Sequence, residues 1–157
     1  MTIKNSAENA FVYTLVSDQR FWFQDLTGCG NGPWLGGYQD PTARGYAEGA
    51  THRTFTDGGW RWVNESDGAS FDTYYSWSGL EPNNDCWGVP ETYVCFYGRF
   101  AKTGLEWNDL PNEGEQYKPY GYIVEYDTAS AIPEPSSWVL LACSGLAAFV
   151  LRGRKRT

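Results

Sequence analysis

Apolar and polar positions near the N-terminus follow a helical period. Four apolar residues recur there at helical spacing: Phe11, Val12, Leu15 and Val16. This spacing predicts a helix with one apolar face toward the core. Asn5 or Ser6 suits the N-cap, and Glu8 in the first turn places a negative charge where the helix dipole favours one. Residues 28–33 read Gly-Cys-Gly-Asn-Gly-Pro and predict a turn after this helix.

The pattern changes downstream to a polar stretch followed by large aromatic side chains. Residues 39–57 are polar and predict a loop. The aromatic residues that follow are Trp60, Trp62, Phe71, Tyr74 and Trp77. Side chains of this kind pair across strands and fill cores, so they predict strands packed on a core. The 18 glycines and the scarcity of long helical patterns favour loops and short strands over a helical bundle.

Length and charge narrow the possible functions. At 157 residues the chain has room for one domain and a tail. Its formal net charge of −7 excludes nucleic acid as a partner, because phosphate binding needs a basic face. The acidic excess fits cation binding, although it also serves plain solubility.

A group of oxygen-bearing side chains occupies the second half of the chain. Its members are Glu81, Asn83, Glu91, Asn108 and Asp109. Calcium takes about 6–8 oxygen ligands from carboxylates, amides and backbone carbonyls, so these five predict a calcium site. A cis bond before Pro82 would turn the oxygens of Glu81 and Asn83 to the same side, and proline is the residue that makes such a bond accessible. Trp77 and Trp107 are apolar anchors for the two ends of the loop.

The order of these residues resembles the long-loop calcium and sugar site of C-type lectin-like domains. The motif reads Trp-x-x-x-Glu-Pro-Asn from Trp77 to Asn83, then Glu91, then Trp-Asn-Asp at residues 107–109. Upstream, the Trp-Leu-Gly-Gly of residues 34–37 is similar to the strand before that loop. Other strand segments of the family correspond to residues 60–63, 74–77 and 120–126. The resemblance covers roughly residues 2–126.

The resemblance implies an α+β fold with short antiparallel strands, a helix and a long calcium-binding loop. It also implies that two neighbouring hydroxyls of a mannose- or glucose-type sugar bind at the calcium. Glu81 and Asn83 would lie on one side of the sugar, with Glu91 and Asn108 on the other. Asp109 would complete the set of calcium ligands. Trp87 lies inside the loop and suits either sugar stacking or support of the loop.

In this family a strand and a first helix precede the helix predicted at Phe11. Residues 120–126 would pair with that strand. The sequence before Asn5 is too short to supply either element, and residues 1–9 lack the apolar stretch of a signal peptide. We therefore expect the domain at residues 1–126 to lack its first strand and helix, and Met1 to lie within a longer gene product.

Two cysteines bracket one of the candidate ligands. A disulfide between Cys86 and Cys95 would close a small loop around Glu91 and contribute roughly 2.5–3 kcal/mol if unstrained. Such a bond needs an oxidising compartment. Buried free thiols are the alternative. Cys29 is unpaired in this scheme, and Cys143 lies in the tail.

The composition changes again in the C-terminal tail. A linker is predicted at residues 127–132, followed by Pro133-Glu134-Pro135, an apolar helix at residues 138–151 and a basic end. The 17 residues from 135 to 151 carry no charge, which is at the short end of the about 17–25 that span a bilayer. Basic residues after such a span stay cytoplasmic. Residues 133–157 resemble the PEP-CTERM sorting signal of Gram-negative bacteria, which implies export and an exosortase-type processing enzyme. A generic tail anchor is the alternative.

Three functions follow from these features. The first is calcium-dependent carbohydrate binding by an exported surface protein, with extracellular polysaccharide as partner. The second is a lectin-like fold that binds protein or extracellular matrix, with at most a structural calcium, because fold does not fix function. The third is a glycosidase, which needs paired carboxylates with one raised pKa. Carboxylates beside a cation stay ionised, so we expect no enzyme.

Overall fold

The computed structural model describes residues 1–49, 51–65, 68–84, 89–112 and 119–126. The chain divides into two compact units, Met1–Glu125 and Tyr126–Thr157. The predicted linker and sorting tail lie outside the described residues, as do Cys86, Trp87 and Cys143. Within the described ranges, no helix is long and apolar enough to cross a membrane.

A five-stranded antiparallel sheet organises the first unit. Its strands are β1 (Phe23–Gln24), β2 (Gly30–Gln39), β3 (Trp60–Trp62), β4 (Tyr93–Gly98) and β5 (Glu106–Leu110). The strand order is β1-β2-β4-β5, and β3 also pairs with β2. The helices are α1 (Ser6–Val16), α2 (Phe55–Gly58) and α3 (Ala69–Thr73), with a 3-10 turn at Gln19–Phe21. This mixture of helix and antiparallel strand confirms the α+β class.

The turn predicted at residues 28–33 is wrong from Gly30 onward, because β2 begins there. β2 shifts its register against β4 next to Pro33, which has no N–H to give to a ladder. A Cβ on Gly32 would lie 2.8 Å from the Cβ of Phe96. The glycine is therefore required for close packing inside a strand, although in the sequence it looks like a turn former.

Helix α1 begins as predicted, but it buries a different face. Asn5 is the N-cap, and its side chain accepts a hydrogen bond from the Glu8 N–H at 2.9 Å. Val12 is buried as expected, whereas Phe11 and Leu15 are 64% and 58% exposed. The face turned to the core carries Asn9, Val12, Tyr13 and Val16. Val12 and Val16 of the predicted face are therefore confirmed, whereas Phe11 and Leu15 face solvent and Asn9 and Tyr13 take their places toward the core.

The aromatic core predicted from the sequence is confirmed. Trp60, Trp62 and Phe71 are fully buried, and Tyr74 packs against them. Trp107 stands at the centre, with its ring centroid 5.6–5.9 Å from four other rings in edge-on arrangements: Trp62, Phe71, Tyr74 and Trp77. Edge-to-face pairs contribute about 0.5–1.5 kcal/mol each beyond burial of area. Strand β5 thus joins the aromatic core through Trp107.

The last strand expected at residues 120–126 is reduced to one bridge. Tyr122 lies beside Trp34 in parallel orientation. The Trp34 N–H donates to the Gly121 carbonyl at 2.9 Å, and the Ile123 N–H donates to the Trp34 carbonyl at 3.0 Å. Among the described residues, none of the strands β1 to β5 includes this segment.

A buried asparagine connects α1 to the sheet. Asn9 is 1% exposed, and its Oδ1 accepts a hydrogen bond from the Trp107 Nε1 at 2.8 Å. Its Nδ2 donates to the Leu105 carbonyl at 2.8 Å. Both hydrogen-bonding groups of one side chain are therefore satisfied inside the protein, and the central tryptophan is oriented by them.

We expect Asn9→Ala to destabilise the protein, because it leaves the Trp107 indole N–H and the Leu105 carbonyl without their partner. Each buried group left unsatisfied costs about 1–3 kcal/mol. Denaturant unfolding of the full chain measures the change in the free energy of unfolding. The exposed neighbour provides the control, since Ala10→Ser should change it by less than about 0.5 kcal/mol. Equal stabilities for the two variants would contradict this role of Asn9.

Candidate functional site

The loop that carries the candidate ligands is held by two tryptophans, as predicted. Trp77 is 7% exposed, Trp107 is fully buried, and their ring centroids lie 5.9 Å apart. A parallel bridge also joins their backbones. The Ser78 N–H donates to the Trp107 carbonyl at 2.9 Å, and the Trp107 N–H donates to the Ser76 carbonyl at 2.8 Å. The start of the loop is therefore fixed against β5, which carries two of the five candidates.

Asp109 is the point where the loop meets the strand. Its side chain is 0% exposed, and its Oδ1 and Oδ2 accept hydrogen bonds from the N–H groups of Asn83 at 3.2 Å and Asn84 at 3.0 Å. The bond between Glu81 and Pro82 is cis, as considered from the sequence. Asn84 has φ 51°, a left-handed conformation that asparagine adopts more readily than most residues. One buried carboxylate thus fixes the backbone of two loop residues.

The other candidates lie next to this contact. The Glu91 N–H donates to the Asn84 Oδ1 at 2.7 Å, and Glu91 is 5% exposed. Asn108 precedes Asp109 on β5, is 8% exposed and pairs with Cys95 in the ladder. The structure therefore brings Glu81, Asn83 and Asp109 together, attaches Glu91 through Asn84, and places Asn108 at the adjacent strand position.

Glu81 lies in an environment that disfavours its charge. Burial raises the pKa of Glu81, and the charge of Asp109 raises it further, to about 7. The positive charges of Arg99 and Arg53 and a hydrogen bond with Asn83 act in the opposite direction. The Oε2 atom of Glu81 is buried and has no hydrogen-bond partner. A buried carboxylate oxygen without a donor is costly when ionised, and a cation beside it would offset that cost.

Two further pKa shifts, those of Asp109 and Cys95, show that negative charge is concentrated at this site. Burial raises the pKa of Asp109 to about 6, against the lowering effect of the backbone N–H groups that bond to it. Burial also raises the pKa of the Cys95 thiol well above its usual value, and the next causes are the charges of Asp109, Glu91 and Glu81. Three carboxylates therefore act on one point of β4.

These residues fit a calcium ion by the chemistry of their donors. Within the part of the chain that the structure describes, no three His, Cys, Asp or Glu side chains are grouped so as to hold a metal ion. The candidate set instead mixes carboxylates with amide oxygens, which calcium accepts. The buried Glu81 Oε2 without a partner and the raised pKa of both Glu81 and Asp109 indicate a shortage of positive charge at this position.

Four side chains at the site were not anticipated from the sequence: Glu48, Arg53, Asn84 and Arg99. Asn84 could have been found, because a second asparagine after proline is typical of a tight turn. Glu48 and Arg53 come from the predicted loop at residues 39–57, and Arg99 follows β4. These three residues interact with partners that are distant along the chain, so the local sequence pattern cannot predict their place at the site.

Cys95 is a free thiol, fully buried in the middle of β4. It pairs with Trp34 on one side and Asn108 on the other, inside the sheet. Its predicted disulfide partner, Cys86, lies outside the described residues. The pairing of Cys86 with Cys95 therefore stays a prediction. Trp87 also lies outside the described residues, so its part in sugar stacking stays a prediction.

The comparison with known families concerns the tail. Residues 131–155 match the family model described as the PEP-CTERM protein-sorting motif, which confirms the resemblance noted for residues 133–157. This motif indicates an exported protein of a Gram-negative bacterium that is sorted to the cell envelope and processed by an exosortase. No curated protein and no solved structure matches the chain. The lectin-like resemblance of residues 2–126 therefore stays a prediction from its sequence motifs.

Proposed function

We propose that the unit Met1–Glu125 is a C-type lectin-like domain that binds carbohydrate through calcium. The proposed ligands of the ion are Glu81, Asn83, Glu91, Asn108 and Asp109. The observation that carries the proposal is the meeting of Glu81 and Asn83 with Asp109 beside a buried carboxylate oxygen that has no partner. Calcium bound there would offer coordination positions to two neighbouring hydroxyls of a sugar.

Each of the two sugar hydroxyls would be bound by a different pair of side chains. A hydroxyl can donate to a carboxylate and accept from an amide at the same time. Glu81 and Asn83 provide one such pair, and Glu91 with Asn108 provides the other. Asp109 has a different task, because its buried carboxylate holds the loop on β5 through two backbone N–H groups. By resemblance, the Glu-Pro-Asn order favours mannose- or glucose-type diols over galactose.

A single shallow site of this kind is weak. Its affinity for one sugar unit should be about millimolar, or roughly −4 kcal/mol. Display of many copies on one surface would raise the effective affinity without any new contact. The sorting motif at residues 131–155 supports such an arrangement, because it directs the protein to the cell envelope.

Two observations favour the second candidate, a domain that binds protein or extracellular matrix. Among the described residues no group of three acids is arranged to hold a metal, and both carboxylate oxygens of Asp109 already accept backbone hydrogen bonds. A loop that Asp109 anchors in this way could serve as a rigid surface without sugar. A glycan array read with and without chelator separates the two functions.

A glycosidase is less well supported than either. The pKa of Glu81, raised to about 7 by burial and by Asp109, would suit a general acid. Its neighbour Asp109 is 0% exposed and hydrogen-bonded to the backbone of Asn83 and Asn84. Asp109 therefore cannot reach a substrate as nucleophile or base. We propose binding without hydrolysis.

Removal of a ligand should abolish calcium and sugar binding together. Asp109→Asn replaces a carboxylate oxygen by an amide that cannot accept both backbone hydrogen bonds, and Asn108→Ala removes an amide oxygen. We expect each to weaken calcium binding at least about tenfold, or roughly 1.4 kcal/mol. Calorimetric titration with calcium and then with methyl mannoside measures both affinities. Asn112→Ala, at an exposed position just after β5, is the matched control. Sugar binding that persists in excess chelator would show this mechanism to be wrong.

Exchange of the two residues around Pro82 should change which sugar is preferred. The double variant Glu81→Gln with Asn83→Asp keeps the oxygens and the net charge but interchanges donor and acceptor around the hydroxyls. We expect calcium affinity to be retained and the preference to shift from mannose toward galactose. Competition between the two methyl glycosides measures the ratio of affinities. An unchanged ratio would indicate that Glu81 and Asn83 do not contact the sugar.

Calcium affinity should rise with pH. Without calcium, the pKa of Glu81 is about 7 and that of Asp109 about 6, both above their ordinary values because of burial. Below these values a proton must leave before a carboxylate oxygen can bind the ion, so affinity falls by about tenfold per pH unit for each such proton. We expect the steepest change below about pH 6, where both protons must leave, a smaller slope up to about pH 7 and a plateau above about 8. Glu81→Gln should flatten the upper part of the profile. An affinity independent of pH would contradict this assignment.

A further inference from the structure

Two arginine side chains from distant parts of the chain meet at Gly79. The Nη2 of Arg53 donates to the Gly79 carbonyl at 2.6 Å. Arg99 also lies beside Gly79, so closely that a Cβ built on Gly79 would collide with its Nη1. Gly79 has φ 50°, in the left-handed region that favours glycine. The position thus accommodates both guanidinium groups two residues before Glu81.

The positive charge at this point contrasts with the rest of the molecule. The chain has a formal net charge of −7, yet Arg53 and Arg99 both lie at Gly79, two residues before Glu81. In the proposed site the charge of Glu81 is compensated by calcium. The guanidinium group of the exposed Arg99 then becomes available to a second anion beside the ion.

Arg99 also borders open space. It lines a cavity of about 430 Å³ together with residues that include Tyr97 and Glu106. Glu106 already has a hydrogen-bond partner, because its Oε2 accepts a hydrogen bond from the Ser78 Oγ at 2.5 Å. Arg99 therefore lies next to Gly79 in the loop and also lines a cavity large enough for part of a sugar unit.

We propose that the carbohydrate carries a carboxylate, as a uronic acid unit does, and that Arg99 binds this carboxylate beside the calcium site. Guanidinium groups match carboxylates through paired hydrogen bonds, and Arg99 is the exposed member of the two. Arg53 positions the loop through the Gly79 carbonyl. This inference rests on the proposed function and deepens it, because it names an acidic polysaccharide as the ligand class.

Two glycosides that differ only at C6 test the proposal. Methyl glucuronide and methyl glucoside present the same vicinal hydroxyls, and only the glucuronide has a carboxylate. Calorimetric titration of the calcium-loaded full chain should give about tenfold tighter binding of the glucuronide, as expected for one charge-assisted contact. In Arg99→Gln that ratio should fall to about one. Arg20→Gln removes an arginine that pairs with Asp18 at 3.2 Å and should leave the ratio unchanged.

The outcomes separate this inference from the proposed function. If neither glycoside binds in the presence of calcium, the proposed function fails. If the glucoside binds as tightly as the glucuronide, only the acidic specificity is overturned. The same holds if Arg99→Gln, folded by circular dichroism, keeps the tenfold ratio. Methyl glucoside 6-sulfate is the third probe, and tighter binding of the sulfate than of the glucuronide would overturn the assignment to a carboxylate.

Discussion

Burial of the Trp107 indole is the constraint on which the arrangement of the first unit depends. Four aromatic rings surround it edge-on, and Asn9 of α1 binds its N–H. Its backbone pairs with the loop on both sides of Trp77. Helix, core, strand and loop therefore all meet at one residue, and the next two positions along the chain are Asn108 and Asp109. Packing of an apolar group fixes the position of the polar ones.

The polar residues of the site lose contact with water because the fold buries them. Asp109 is fully buried and Glu81 is half-buried, and burial is the largest cause of the raised pKa of each. Backbone N–H groups compensate Asp109 in part. The Oε2 atom of Glu81 receives no such bond. An acid buried with an unpartnered oxygen is costly in its ionised form, and either a proton or a cation offsets that cost.

Local features were read correctly from the sequence, and features that depend on distant contacts were not. The Asn5 cap, the aromatic core and the sorting motif each follow from neighbouring residues or from a short motif. The start of β2 was missed, because a glycine required for close packing has the same appearance as one required for a turn. The buried face of α1 was misplaced, since Asn9 docks through hydrogen bonds that hydrophobicity does not measure. Arg99 is distant from Glu81 along the chain, and only the folded structure brings the two close together.

The position of Cys95 has a consequence for thiol chemistry in an exported protein. The thiolate is the form that reacts with disulfides and oxidants, and burial together with three nearby carboxylates keeps the pKa of Cys95 well above its usual value. Its strand is paired on both sides. While the sheet is closed, reagents do not reach this sulfur and the thiol keeps its proton. The redox state of Cys95 is therefore governed by how often β4 opens rather than by the oxidising strength of the surroundings.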